Sequence, residues 1–142
     1  MENFRMKLKE EPPRRVLVAD DDPVMRHLIT TTLKRQEYES LVAKDGREAY
    51  RILQTDSQFR AAIFDMTMPF LEGLDLVRYM RSERRLMRIP IMMISAEQDI
   101  KLMASSFSAG ATAFLPKPFT PEQLQSAIRM LLGNRSSVQR AA

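Results

Sequence analysis

A chain of 142 residues is long enough for one domain with a sizeable core and too short for two. At 44% hydrophobic and 28% charged residues it is neither disordered nor fibrous, and it contains no apolar run as long as a membrane span. Twenty-two Lys and Arg against 18 Asp and Glu leave a net charge of +4. The basic residues gather at the two ends and in RYMRSERRLMR (Arg78 to Arg88), without a recognition motif, so no direct nucleic-acid binding is expected. That run reads as a solvated helix face and connecting loop. The N-terminus lacks the apolar stretch of a secretory signal, and the absence of Cys fits a reducing compartment, so the expected location is cytoplasmic.

The first apolar run, Val16 to Ala19, is continuous rather than alternating, as in a strand covered on both faces. Asp22 and Pro23 then supply an N-cap and a first-turn proline for a helix running to about Arg35, with Leu28, Ile29 and Leu33 as apolar positions. Ser40 to Ala43 is a weaker run, suited to an outer strand. Asp45 and Glu48 have the spacing of a capping box, opening a helix that carries Ala49, Ile52 and Leu53.

Ala61 to Phe64 is the third strand, and Leu74, Leu76, Val77 and Met80 mark the third helix. Ile91 to Ile94 is the fourth strand. Leu102, Met103 and Phe107 indicate a fourth helix closed by Gly110. Ala113 to Leu115 is the fifth strand, and Thr120, Pro121 and Gln123 cap a last helix whose Leu124, Ile128 and Leu131 face inward and which Gly133 ends. Five strands alternating with five helices call for an α/β fold, a doubly wound parallel sheet with helices on both faces. Residues 15–132 form this domain, with an N-terminal extension at 1–14 and a C-terminal tail or linker stub at 133–142.

Ligands of such sheets sit beyond the carboxyl ends of the strands. The first strand ends in Asp20, Asp21 and Asp22, and the third ends in Asp65. Acids packed on one rim repel unless something neutralises them, and a hard cation such as Mg2+ does so with oxygen ligands. Ser95 closes the fourth strand and Lys117 follows the fifth. A carboxylate nucleophile, a cation, a hydroxyl and a lysine are what a transferring phosphoryl group requires, because its charge spreads over three equatorial oxygens. Asp22 is better explained as a helix cap, and His27, beside Arg26, as a solvated surface residue.

The motifs VLVADDDPVMR, IFDMTMPFLEG, PIMMISAE and AGATAFLPKPFT resemble those of response-regulator receiver domains from about Arg15 to Leu132, similar to the single-domain chemotaxis regulator. Spacings of 44 residues from Asp21 to Asp65, 30 from Asp65 to Ser95 and 22 from Ser95 to Lys117 fit without gaps. The resemblance implies a flavodoxin-like receiver fold with Asp65 as phosphoacceptor. It implies Mg2+, or Mn2+ in its place, held by Asp21, Asp65 and the backbone carbonyl of Thr67, with Asp20 acting directly or through water. Ser95 and Lys117 would hold phosphoryl oxygens, and Ser95 and Phe114 would form the switch. The implied partners are a sensor histidine kinase or histidine phosphotransfer protein and an output protein or fused output domain. A phosphorylation-dependent homodimer stays open, and no membrane partner is expected.

Departures from the family pattern are informative. Thr67 and Glu97, each two residues beyond a site residue, stand at variable positions flanking the path of an attacking water and would tune the phosphoryl lifetime. Glu72 stands where an Asp is common and affects the loop. Phe114 lacks a Tyr hydroxyl, so any inward state is held by packing alone, and its alternative role is plain core. The domain reads as a phosphoacceptor that assists its own phosphorylation and dephosphorylation, not as an enzyme. A hydrolase with an aspartyl-phosphate intermediate needs a second acid where Thr67 stands. A dinucleotide-binding domain needs glycines where the first strand runs into acids. The remaining rival is a receiver-like interaction module that does not use phosphorylation.

Overall fold

The computed structural model describes residues 13–96 and 100–141, with side chains described as far as residue 133. In chain order the elements are β1 (Arg15–Ala19), α1 (Pro23–Arg35), β2 (Glu39–Ala43), α2 (Gly46–Thr55), β3 (Ala61–Asp65), α3 (Gly73–Ser82), β4 (Ile91–Ser95), α4 (Ile100–Ala109), β5 (Ala113–Pro116) and α5 (Pro121–Ala141). The strands form one parallel sheet in the order β2-β1-β3-β4-β5. The weak run at Ser40 is indeed the outer strand β2.

Continuous apolar strands follow from a sheet covered twice. Leu17, Ala19, Ala62, Phe64, Ile91 and Met93 point to one face, where they pack with Ala49 and Leu53 of α2 and Leu76, Val77 and Met80 of α3. Their neighbours Val16, Val18, Ala61, Ile63, Met92 and Ile94 point to the other, against Ile29 and Leu33 of α1 and Leu124, Ile128 and Leu131 of α5. Strand residues alternate faces, so each face takes every second side chain and no polar position is left between. Removing this apolar surface from water is the main stabilising contribution, about 25 cal/mol per Å².

Local signals set the helix starts. The Asp22 carboxylate accepts from the N–H of Val24 at 2.9 Å, and that of Asp45 from the N–H of Glu48 at 2.9 Å. Thr120 and Gln123 exchange both bonds of a capping box, at 2.9 and 3.0 Å. At the end of α4, Gly110 has φ +118°, a left-handed conformation that closes the helix as the sequence predicts.

Two expectations need correction, the end of α5 and the role of the basic run. Gly133 does not end α5, which continues through it to Ala141. No proline follows in 134–142, and an isolated glycine costs a helix only about 1 kcal/mol, too little to stop it without a left-handed cap. In α4 the apolar residues do mark a helix, but Ile100, Met103 and Phe107 are exposed and the buried position is Ser106. The Ser106 hydroxyl donates to the carbonyl of Leu102 at 2.9 Å, which removes the cost of burying it.

The basic run is also more than a solvated face. Arg81 donates to the carbonyls of Gly110 (2.9 Å), Met87 (3.0 Å) and Ile89 (2.8 Å), tying the end of α3 to the end of α4 and to the loop entering β4. Arg85 donates to the carbonyl of Leu53 at 2.9 Å. Arg78 is exposed, as expected.

Two glycines mark close approaches. A Cβ on Gly46 would overlap the backbone carbonyl of Leu71, and one on Gly73 would overlap the carbonyl oxygen of Asp65. These contacts seat the starts of α2 and α3 against the chain that leaves β3. Gly46→Ala is therefore expected to destabilise the fold by roughly 3 kcal/mol, the upper range for overpacking. Urea unfolding checks this: the midpoint should fall with an unchanged slope.

Candidate functional site

The register of the sheet builds the site. Ala19 pairs with Phe64, Asp65 with Ile94, and Ser95 with Pro116, so Asp20, Asp65, Ser95 and Lys117 arrive at one rim from four adjacent strands. The chain leaves β1 for β2 on one side and returns to β3 on the other. The acids therefore stand at the topological switch point between β1 and β3, where open α/β sheets leave a crevice.

Asp20, Asp21 and Asp65 each offer a carboxylate oxygen, and these oxygens lie within 4.8 Å of one another. Asp20 and Asp65 are buried while Asp21 is exposed. One oxygen of Asp20, Oδ1, accepts from the N–H of Asp22 at 2.9 Å; the other, Oδ2, is buried and has no hydrogen-bond partner. A buried acceptor without a partner is costly, and two more carboxylates beside it increase the cost. This all-oxygen donor set, with an orphaned oxygen at its base, fits a hard divalent cation.

Burial pushes the Asp65 carboxyl up to about 6, and the charge of Asp20 acts in the same direction. The Lys117 ammonium and the N–H of Thr67, 3.4 Å from Asp65 Oδ1, oppose the rise. Asp20 is also raised, chiefly by burial, against its bond from Asp22 and the charge of Lys117. Lys117 thus acts on both buried carboxylates. Its backbone N–H is fixed by a 2.6 Å bond to the carbonyl of Ser95, so the last two site residues are tied together directly.

The remaining expected residues are placed as follows. Ser95 is buried at the end of β4. Thr67 is exposed on the loop beyond Asp65. Phe114 is half-buried on β5, packs on the α3 side of the core, and lines a cavity of about 540 Å³ with Arg81, Met92 and Met130. Glu97 lies outside the described residues. Asp22 is the α1 cap and His27 is exposed.

Sequence reasoning missed Arg26, whose guanidinium donates to the carbonyl of Asp20 at 2.8 Å and pins the β1–α1 loop. An arginine four residues after an N-cap gives no signal of such a bond. It also missed how closely α3 abuts the site. The Gly73 N–H donates to the carbonyl of Met66 at 3.1 Å, and the only sequence trace of this is a glycine where a helix former would do better.

The family model for the response regulator receiver domain matches residues 16–129. The chain belongs to this family. Among curated relatives of the receiver is chemotaxis protein CheY1 of Helicobacter pylori, 38% identical over 84% of this chain and 97% of that protein. Response regulator MprA of Mycolicibacterium vanbaalenii is 36% identical, but this chain covers only 51% of it. Chemotaxis response regulator CheY4 of Vibrio cholerae superposes with a TM-score of 0.77 at 33% identity, covering 83% of this chain and 98% of that one. The receiver domain of a Pseudomonas aeruginosa sensor histidine kinase, solved with a magnesium ion coordinated in its active-site cleft, gives 0.75 at 26% identity, covering 85% and 98%. This receiver is accordingly a CheY-like phosphoacceptor domain of two-component signalling. No helix among the described residues is long and apolar enough to cross a membrane.

The raised acid has a consequence for stability. An acid with a raised folded pKa holds its proton more tightly folded than unfolded, so its contribution to stability falls as pH climbs from 3.8 through about 6 and stays low above that. In chelator at pH 7.5, Asp65→Asn is expected to stabilise the protein by on the order of 1–3 kcal/mol. The corresponding rise in Tm is about 4 °C or more, and the gain over the unsubstituted chain should close towards pH 4. Paired thermal melts across pH measure it.

Proposed function

We propose that Asp65 accepts a phosphoryl group from a phosphohistidine of a sensor histidine kinase or histidine phosphotransfer protein. The observation that carries this reading is the convergence of Asp20, Asp21, Asp65, Ser95 and Lys117 from four strand ends on one rim.

In the transfer, a carboxylate oxygen of Asp65 attacks phosphorus in line. The new O–P bond forms as the N–P bond of the phosphohistidine breaks, and the electron pair returns to the imidazole. Lys117 and the Ser95 hydroxyl hold phosphoryl oxygens as charge develops on them. The charge of Lys117 acts on both buried carboxylates, which suits it to a phosphoryl group carried by Asp65. Asp20, Asp21 and Asp65, with the Thr67 carbonyl, would hold Mg2+, or Mn2+ in its place, whose positive charge offsets that of the phosphoryl oxygens. Thr67, exposed on the loop beyond Asp65, would tune the lifetime of the acyl phosphate, and Glu97 takes the same role by its sequence position.

Once Asp65 is modified, Ser95 moves toward the phosphoryl group and Phe114 fills the space released, shifting a two-state equilibrium at the α4–β5 face. An output protein, a fused output domain or a second phosphorylated copy reads that face. A cytoplasmic location suits a phosphohistidine donor. The complete set of strand-end groups weighs against an interaction module that does not use phosphorylation.

Labelling with radioactive acetyl phosphate in Mg2+ tests the reading. Unsubstituted protein should take up acid-stable, alkali-labile label, and Asp65→Ala should reduce it to background. Lys117→Gln should slow labelling roughly 100-fold, the usual cost of removing one preorganised charge donor. Labelling of Asp65→Ala at the unsubstituted level would overturn the assignment.

A further inference from the structure

The loop that leaves β3 carries Phe70, five residues beyond Asp65. Three features at this point run against local preference. Phe70 has φ +72°, in the left-handed region that glycine or asparagine occupies at lower cost. The residue is 71% exposed, so the strain is not repaid by burial in the core. Arg47 lies over that ring, its guanidinium carbon 3.8 Å from the centroid, and Arg47 occupies the second position of α2, where the helix dipole disfavours a cation. A glycine at 70 and an acid at 47 would satisfy every local rule.

The backbones that carry the pair are close: Gly46, next to Arg47, packs against the backbone of Leu71, next to Phe70. Violations of local preference concentrated beside a reactive group mark a position retained for contact rather than for folding. In the first turn of α1, which follows the β1 acids, Val24 is likewise exposed. Aromatic residues and arginine are enriched at the buried centres of protein contacts.

We propose that Phe70, held by Arg47, is a specificity-determining contact for the protein that delivers the phosphoryl group. The inference rests on the phosphohistidine reading above. The donor must bring its histidine to Asp65, so its surface passes over the β3–α3 loop. The matching surface has an apolar recess for the ring and a carboxylate for the exposed edge of the Arg47 guanidinium. A small phosphodonor reaches Asp65 without touching either group.

The experiment compares acetyl phosphate with a panel of autophosphorylated histidine kinases from the source genome, using the kinase that transfers fastest to the unsubstituted chain. Phe70→Gly relieves the left-handed strain, so loss of folding does not confound it. It is expected to lower kcat/KM for the kinase at least 10-fold, mostly through KM, with labelling by acetyl phosphate within 2-fold of the unsubstituted chain. Phe70→Tyr should restore transfer, and Arg47→Glu should shift preference among the kinases. Unchanged kinase kcat/KM in Phe70→Gly, or an equal loss with both donors, overturns the inference while leaving Asp65 as acceptor. Labelling by acetyl phosphate with no transfer from any kinase overturns the phosphohistidine reading and this inference with it.

Discussion

Like charges held together against their repulsion are the constraint around which this receiver is built. Three carboxylates within 4.8 Å of one another are imposed by strand register, because β1 and β3 are neighbours and end level with one another. Burial of Asp20 and Asp65 in the apolar sheet deepens the cost, and the folded core must outweigh it. The same arrangement keeps the Asp65 carboxylate poorly solvated. Lys117, arriving from β5, is the positive charge the chain itself supplies.

The fold was legible because its strands are buried on both faces. Runs such as Val16 to Ala19 and Ile91 to Ile94 have no alternation to confuse with an edge strand, and caps at Asp22, Asp45 and Thr120 place the starts of three helices. The site was legible because its residues sit at strand ends, where sequence position and spatial position coincide. What escaped depends on contacts between segments distant in sequence. Arg81 looks like any surface arginine in a basic run until Gly110 and Ile89 are brought beside it by folding. Gly133 resembles a helix stop because composition alone does not reveal whether a left-handed cap follows.

The Phe70–Arg47 pair shows a different limit. Neither residue is unusual by type, and the conflict with local preference exists only once the backbone of the loop is known. Propensity arguments treat each residue against an average environment. They cannot see that a tight turn after β3 demands a positive φ at the one position filled by an aromatic.

The Ser106 contact gives α4 a distinct place in the economy of the fold. Its oxygen lies 3.5 Å from the sulfur of Met66, the residue that follows Asp65, while Ile100, Met103 and Phe107 face outward. α4 buries Ser106 and packs Leu102 and Ala109 partly against the core, less than the apolar faces that α2 and α3 bury, so its opening is expected to draw on a smaller fraction of the unfolding free energy. Amide hydrogen exchange is therefore expected to be faster in α4 than in the buried strands β1, β3 and β4. The acid-bearing rim and the outward-facing helix thus rest on different amounts of apolar contact, and the Ser106–Met66 contact joins them.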